Sequence, residues 1–187
     1  MKLGIISDTH GMPQAWEKAI NWFADADLIL HAGDVLYHPP RIGSTPGYDL
    51  IGLAELMNTS SIPIIIARGN CDPEVYEEIL TMPVLSPYAH VEVNGLRIII
   101  NHGHTLDGKR LSQTAEKYRA DIFITGHTHI PLIEHCGKCI HINPGSPSHP
   151  KFEQDGAPVP TAGIITDNRV QIINIQTGEE ILGISLA

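Results

Sequence analysis

Five short patterns carry residues able to bind metal or move protons: Asp8-Thr9-His10, Gly33-Asp34, Gly69-Asn70-Cys71-Asp72, His102-Gly103-His104 and Gly126-His127-Thr128-His129. This mixture of carboxylate, carboxamide and imidazole suits Mn²⁺, Fe or Zn²⁺ better than Ca²⁺, which prefers oxygen alone. Asp-x-His and His-x-His place both side chains on one side of an extended chain, so each pair is expected to converge on one centre. The neighbouring Gly33, Gly69, Gly103 and Gly126 permit tight turns and close backbone approach. Asp8, His10, Asp34, Asn70, His102, His127 and His129 make seven candidate ligands. Seven exceed the needs of one transition ion. They suit two ions roughly 3.5–4 Å apart that share a carboxylate, an arrangement used for phosphoryl chemistry.

These patterns need elements to hold them, and each follows a short apolar run. Strands are expected at 2–7, 28–32, 62–67, 96–101 and 122–125. The isoleucine-rich run at 62–67 reads as buried on both faces. Apolar residues at Ala15, Trp16, Ala19, Ile20 and Phe23 recur with helical spacing over 13–24, and 50–58, 74–80 and 112–118 read as further helices. Asn94-Gly95 signals a hairpin between 89–93 and 96–101. Hairpins are also expected around Gly137 and across Asp167-Asn168. Helices dominate the first half and hairpins the second, which predicts an α/β fold: a two-sheet mixed β-sandwich flanked by helices. In such sheets ligands bind at the carboxyl ends of the strands, where all five patterns fall. The loops at 37–48 and 144–160 exceed ordinary connections and are candidates for a site rim or lid.

Composition narrows the field. Twelve Lys and Arg against 21 Asp and Glu leave a formal charge of −9, which disfavours a broad basic surface for long nucleic acid. With 187 residues, 42% hydrophobic and 18% charged, a single globular domain over 1–187 is expected. No apolar run approaches the ~20 residues of a membrane-spanning helix, and no signal peptide is legible. Three Cys do not make a disulfide framework. A cytoplasmic protein without membrane association is expected.

In order along the chain, the five blocks resemble the signature of the calcineurin-like metallophosphoesterases, and they span residues 8 to 129. Asn143-Pro144-Gly145-Ser146 resembles the family's closing segment. The size of the chain, and the stretch from Gly33-Asp34-Val35 into the Pro-rich loop, resemble the small YfcE-type phosphodiesterase branch. The resemblance implies a four-layer α/β/β/α fold. It also implies two divalent ions per chain, Mn²⁺ foremost, with Zn²⁺, Fe²⁺ or Ni²⁺ as the other choices. Asp8, His10 and His129 would hold the first ion, Asn70, His102 and His127 the second, and Asp34 would bridge them. A water or hydroxide shared by both ions would then attack phosphorus in line.

The resemblance implies a small phosphodiester as substrate. Two other readings stand beside it. One is a metal-binding scaffold or interaction module, since a eukaryotic retromer subunit resembles this fold. The other is a nuclease for short oligonucleotides. A homo-oligomer, dimer or tetramer, is compatible with the apolar tail.

Three further residues carry open roles. Where many family members have His in the third block, this chain has Cys71. Cys71 is either a small buried residue or a weak proton donor, its ordinary pKa near 8.5 being high for an acid at neutral pH. Asp72 stands behind the ligands or in the framework. His104 either supports a ligand or touches the phosphate. Arg68 and Lys109 are the nearest basic candidates for a phosphate oxygen. His31 is expected in the core, and His38, His90 and His149 at solvent or at the rim. Cys136 and Cys139, flanked by His135 and His141, resemble half a zinc site without its second half.

Overall fold

The computed structural model describes residues 1–37 and 45–186. In chain order its elements are β1 (Lys2–Ile6), α1 (Pro13–Ile20), β2 (Leu28–His31), α2 (Leu50–Asn58), β3 (Ile64–Ala67), β4 (Val84–Leu85), β5 (Ala89–Val93), β6 (Leu96–Ile100), α3 (Gly108–Tyr118) and β7 (Ile122–Ile124). There follow β8 (Pro131–Cys136), β9 (Cys139–Pro144), β10 (Glu153–Gln154), β11 (Ala157–Pro158), β12 (Thr161–Thr166), β13 (Arg169–Asn174) and β14 (Glu180–Ser185). Short 3₁₀ turns occupy Asn21–Phe23 and Glu74–Glu78. Among the described residues no helix is long and apolar enough to cross a membrane.

Two mixed sheets form the middle. The larger has the order β14-β13-β12-β1-β2-β3-β4, and the smaller β5-β6-β7-β9-β8. In the first, β1 through β4 run parallel while β12, β13 and β14 run antiparallel. In the second, β6, β7 and β9 are parallel. The parallel strands explain the continuous apolar runs, because both their faces are covered. Leu3 and Ile5 of β1 meet Ile98 and Ile100 of β6 and Ile122 and Ile124 of β7 between the sheets. Ile6, Ile29, Ile64 and Ile66 turn the other way, onto Trp16 and Ala19 of α1 and Leu53 and Met57 of α2. Gly4 sits where a Cβ would lie 2.6 Å from Phe23 Cγ, so the missing side chain lets that ring lie against β1. On the far side Leu111 and Ala115 of α3 cover Ile99 and Phe123. The result is the expected α/β/β/α stack.

The structure departs from the sequence reading at several edges. The helical run expected over 13–24 is α1 followed by a 3₁₀ turn, and 74–80 is a 3₁₀ turn only. Helix α3 begins four residues earlier than read, because the Asp107 carboxylate accepts the Arg110 N–H at 2.7 Å and caps it. Strand β14 extends the tail hairpin to three strands. The loop at 144–160 carries the small β10–β11 hairpin. Of the loop at 37–48, residues 38–44, and with them His38, lie outside the described residues.

Candidate metal centre

All five patterns gather at the carboxyl ends of β1, β2, β3, β6 and β7. The backbone route differs from the extended one expected. Asp8, His10, Asp34, His127 and His129 all have positive φ, between 46° and 69°, so five of the eight such non-glycine residues described are candidate ligands. Left-handed backbone is unfavourable for side chains of this kind and persists only where surrounding contacts enforce it. Those contacts are present. Asp8 N–H donates to Gly33 O at 2.9 Å, and His10 N–H to Asp34 O at 3.1 Å. Ser146 and Ser148 Oγ both donate to Asp8 O, at 2.8 and 2.7 Å, and Asn143 Nδ2 donates to Gly126 O at 2.7 Å. A Cβ on Gly126 would strike Ser7 Oγ and come within 2.7 Å of Asp8 Oδ2, so this turn requires glycine.

Two groups of donors result, Asp8–His10–His129 and Asp8–Asp34–His102. Asp8 Oδ1 lies 3.2 Å from His129 Nε2, 3.7 Å from His10 Nε2 and 4.0 Å from His102 Nε2. Asp34 Oδ2 lies 3.2 Å from His102 Nε2 and 3.9 Å from His10 Nε2, so it reaches both groups. The pair His127-x-His129 does not converge. His129 joins Asp8 and His10, whereas the His127 ring lies against His102 and His104, with centroids 5.2 and 6.1 Å apart. The left-handed turn at each residue separates the two side chains.

Hydrogen bonding fixes which nitrogens face inward. His10 Nδ1 donates to Tyr37 O at 2.8 Å, His102 Nδ1 to Ala32 O at 2.7 Å, and His129 Nδ1 to His149 O at 2.6 Å. A carbonyl only accepts, so each Nδ1 carries a proton, and whenever the ring is neutral Nε2 turns a bare lone pair inward. His10 Nε2 and His129 Nε2 then face each other at 3.3 Å. Asp8 Oδ1 is buried without a hydrogen-bond partner, and His102 Nε2 has only Asp34 Oδ2, at 3.2 Å, to answer it. Lone pairs and carboxylates crowded in a dry space repel unless a cation lies among them. The residues therefore fit divalent metal.

The charges respond accordingly. Burial opposes ionisation of Asp8, but its His129 contact and the His102 charge hold it below the usual carboxylate range. Burial likewise opposes charge on Asp34, and the His102 hydrogen bond and charge outweigh it, holding the carboxyl well below that range. Burial alone would lower His102, yet the Asp34 hydrogen bond and the two carboxylates push it up to about 9. Without metal a proton on His102 supplies the missing positive charge.

Asn70, His104 and His127 lie exposed at the mouth. Asn70 Nδ2 is 3.1 Å from Cys71 Sγ. Burial and the Asp34 charge push the Cys71 thiol up to about 12, so it stays protonated. Asp72 stands in the framework: it accepts N–H bonds from Asp34 at 2.7 Å, Val35 at 2.8 Å and Gly69 at 2.8 Å. Arg68, expected near phosphate, pairs with Glu77 instead, while Lys109 is exposed on α3. His31 is buried; its Nδ1 accepts the Gly33 N–H and its Nε2 meets Thr9 Oγ, tying the first two ligand loops together. His149 is half-buried at the site rim and not solvated, its ring standing edge-on 5.3 Å from His10. The unusual length of the loop at 144–160, read from the sequence as a candidate rim, is the signal that points to it. Among the described residues Cys136 and Cys139 form no ligand group, and both are free thiols.

The calcineurin-like phosphoesterase superfamily domain matches residues 1–165. The chain is 37% identical over 153 residues to phosphodiesterase YfcE of Escherichia coli strain K12, covering 81% of this chain and 82% of that protein. The solved structure of the E. coli phosphoesterase Yfce superposes with a TM-score of 0.86 at 30% identity over the whole of both chains. Zinc-complexed Vps29 of Entamoeba histolytica shares the fold, with a TM-score of 0.66 at 19% identity over 99% of each chain. On that match over residues 1–165 and the 37% identity, the chain belongs to the calcineurin-like phosphoesterase superfamily.

Proposed function

We propose that this protein is a metal-dependent phosphodiesterase that holds two divalent ions, Mn²⁺ foremost, and hydrolyses a small phosphodiester. The observation that carries the reading is the opposition of His10 Nε2 and His129 Nε2 at 3.3 Å beside the unpartnered Asp8 Oδ1. Asp8, His10 and His129 would hold one ion, Asn70, His102 and His127 the other, with Asp34 reaching both. Bound divalent ions supply a Lewis acid that activates water and neutralises phosphoryl oxygens. The protein supplies orientation: three imidazoles locked through Nδ1, and two carboxylates with one oxygen each turned inward. His104 lies at the mouth, its pKa lowered by burial and by the neighbouring His102 charge. Its neutral ring can donate an N–H to a phosphate oxygen without itself being a ligand. Cys71, held as a thiol, is an unfavourable acid, which directs the enzyme toward esters whose leaving group needs little protonation. The similarity to proteins named phosphodiesterase supports this substrate class.

The test is hydrolysis of bis(4-nitrophenyl) phosphate after chelation and after addition of Mn²⁺. Chelation is expected to abolish turnover and Mn²⁺ to restore it. Hydrolysis indifferent to the chelator would overturn the metal reading, and metal-replete protein without turnover would overturn the phosphodiesterase reading.

A further inference from the structure

A cavity of about 280 Å³ lies between the start of α3 and strands β7 to β9. His127 forms its wall on the side of the metal centre, so it adjoins the phosphate position that the phosphodiesterase reading requires. Leu106, Leu111 and Cys136 line it with apolar surface, and Asp107, Thr125, Thr128, Glu134 and His141 with polar groups. No Lys or Arg lines it.

The polar wall has a defined direction. Glu134 and His141 are register partners across the β8–β9 pair. Glu134 Oε1 lies 3.0 Å from His141 Nδ1, and Thr125 Oγ lies 2.9 Å from His141 Nε2. The carboxylate only accepts, so Nδ1 carries a proton, and in the neutral ring Nε2 is an acceptor. Thr125 must then donate its one hydroxyl hydrogen to His141, leaving only lone pairs on Oγ. The carboxylates of Glu134 and Asp107 add further acceptors. Thr128 Oγ already accepts from Asn143 Nδ2 at 3.0 Å. A cavity beside the reaction centre thus presents acceptors, two of them anionic, and no Lys or Arg.

We propose that this cavity is the subsite for one ester arm of the substrate, and that it selects water-soluble phosphodiesters whose arm carries ammonium or hydroxyl donors, as aminoethyl and glyceryl groups do. An anionic arm, such as a second phosphate or a carboxylate, meets the carboxylates of Glu134 and Asp107 with no Lys or Arg beside them in the lining, and is rejected. The inference rests on the phosphodiesterase reading and adds to it the chemistry of the arm.

The experiment compares 4-nitrophenyl phosphodiesters that share one leaving group and differ in the second arm: 2-aminoethyl, 2,3-dihydroxypropyl, ethyl and carboxymethyl. With Mn²⁺ present, kcat/KM for the first two is expected about tenfold above ethyl, the scale of one hydrogen bond to a charged group. Carboxymethyl is expected below ethyl. Glu134→Gln is expected to bring the aminoethyl-to-ethyl ratio to about one. Equal rates across all four arms, or an unchanged ratio in Glu134→Gln, would overturn the subsite while leaving the phosphodiesterase reading intact. Hydrolysis confined to phosphatidylethanolamine vesicles, with glycerophosphoethanolamine in solution untouched, would also overturn it. If no diester is hydrolysed, the phosphodiesterase reading fails, and calorimetric binding decides the subsite alone: phosphoethanolamine is expected to bind tighter than ethyl phosphate, and ethyl phosphate tighter than phosphoglycolate. Any other order overturns the assignment.

Discussion

Asp8, His10 and His129 are 0%, 1% and 7% exposed, and each imidazole of that trio is pinned through Nδ1 to a backbone carbonyl. At the same edge of the same sandwich, Asn70, His104 and His127 stand open to solvent. The inner half is assembled before any ion arrives: left-handed backbone, dry surroundings and fixed tautomers leave its donors nothing to do but face one another. The outer half keeps rotamer freedom and water. Ordering groups during binding consumes free energy that prior folding has already met for the inner half. Two ions drawn to this site are therefore expected to bind unequally, the inner one tightly and the outer one in exchange with solution. An exposed outer ion also suits turnover, since substrate and product must enter and leave on that side.

Asp34 offers the strongest way to break this comparison, because Oδ2 approaches both halves. Asp34→Asn removes the charge that both ions would share. Turnover is expected to fall by roughly a hundredfold or more, the scale of losing a preorganised electrostatic group, and bound metal is expected to fall with it. Elemental analysis showing two ions per chain in Asp34→Asn would refute the shared role. His127→Ala sharpens the same contrast from the outer side. It is expected to retain one tightly bound ion and lose the second, with turnover recovering in part at high Mn²⁺. Loss of both ions from His127→Ala would show that the halves are not independent.

Asp72 couples the halves through the backbone. Its carboxylate gathers the N–H groups of Asp34 and Val35 after β2 and of Gly69 after β3. Asp72→Asn leaves at least one of these buried donors facing an amide hydrogen. The expected loss is about 1–3 kcal/mol of stability, with metal affinity weakened by about tenfold. Thermal melts with and without Mn²⁺ measure both. A variant that melts as the parent does but loses turnover would place Asp72 in the chemistry instead of the framework.

Much of this site was legible in the sequence because ligand patterns and strand ends are local. Apolar runs of four to six residues mark buried parallel strands, and the residue after each strand is fixed to one edge. The fold's layers followed from the same alternation. What stayed hidden is carried by long-range register and by backbone handedness. Spacing at i, i+2 predicts convergence only if the chain is extended; the family resemblance, not the spacing, separates His127 from His129, and their positive φ gives the physical reason. Glu134, His141 and Thr125 meet because β9 pairs with both β8 and β7, which no local pattern announces. His149 comes from a loop whose path the composition does not set. Strand β4 has two residues and little periodicity to read, and β14 is an edge strand with an exposed face.

His102, the buried residue assigned to the second ion, carries the mildest test, a pH dependence. Without metal its pKa rises to about 9 because Asp34 and Asp8 favour the charged ring against the opposing effect of burial. A metal must displace that proton to use Nε2. Below about pH 9 the apparent metal affinity should therefore fall by up to about tenfold for each unit of acidification while this single proton dominates, and above it the affinity should level off. Stability of the metal-free protein should move the other way. A folded-state pKa raised above the unfolded 6.5 stabilises the fold fully below about pH 6.5, and that contribution is lost as pH rises through about 9. Competition titrations with a metal indicator and metal-free melts, both across pH 6 to 10, should therefore show opposite slopes. Parallel slopes would mean that the proton on His102 is not what the metal replaces.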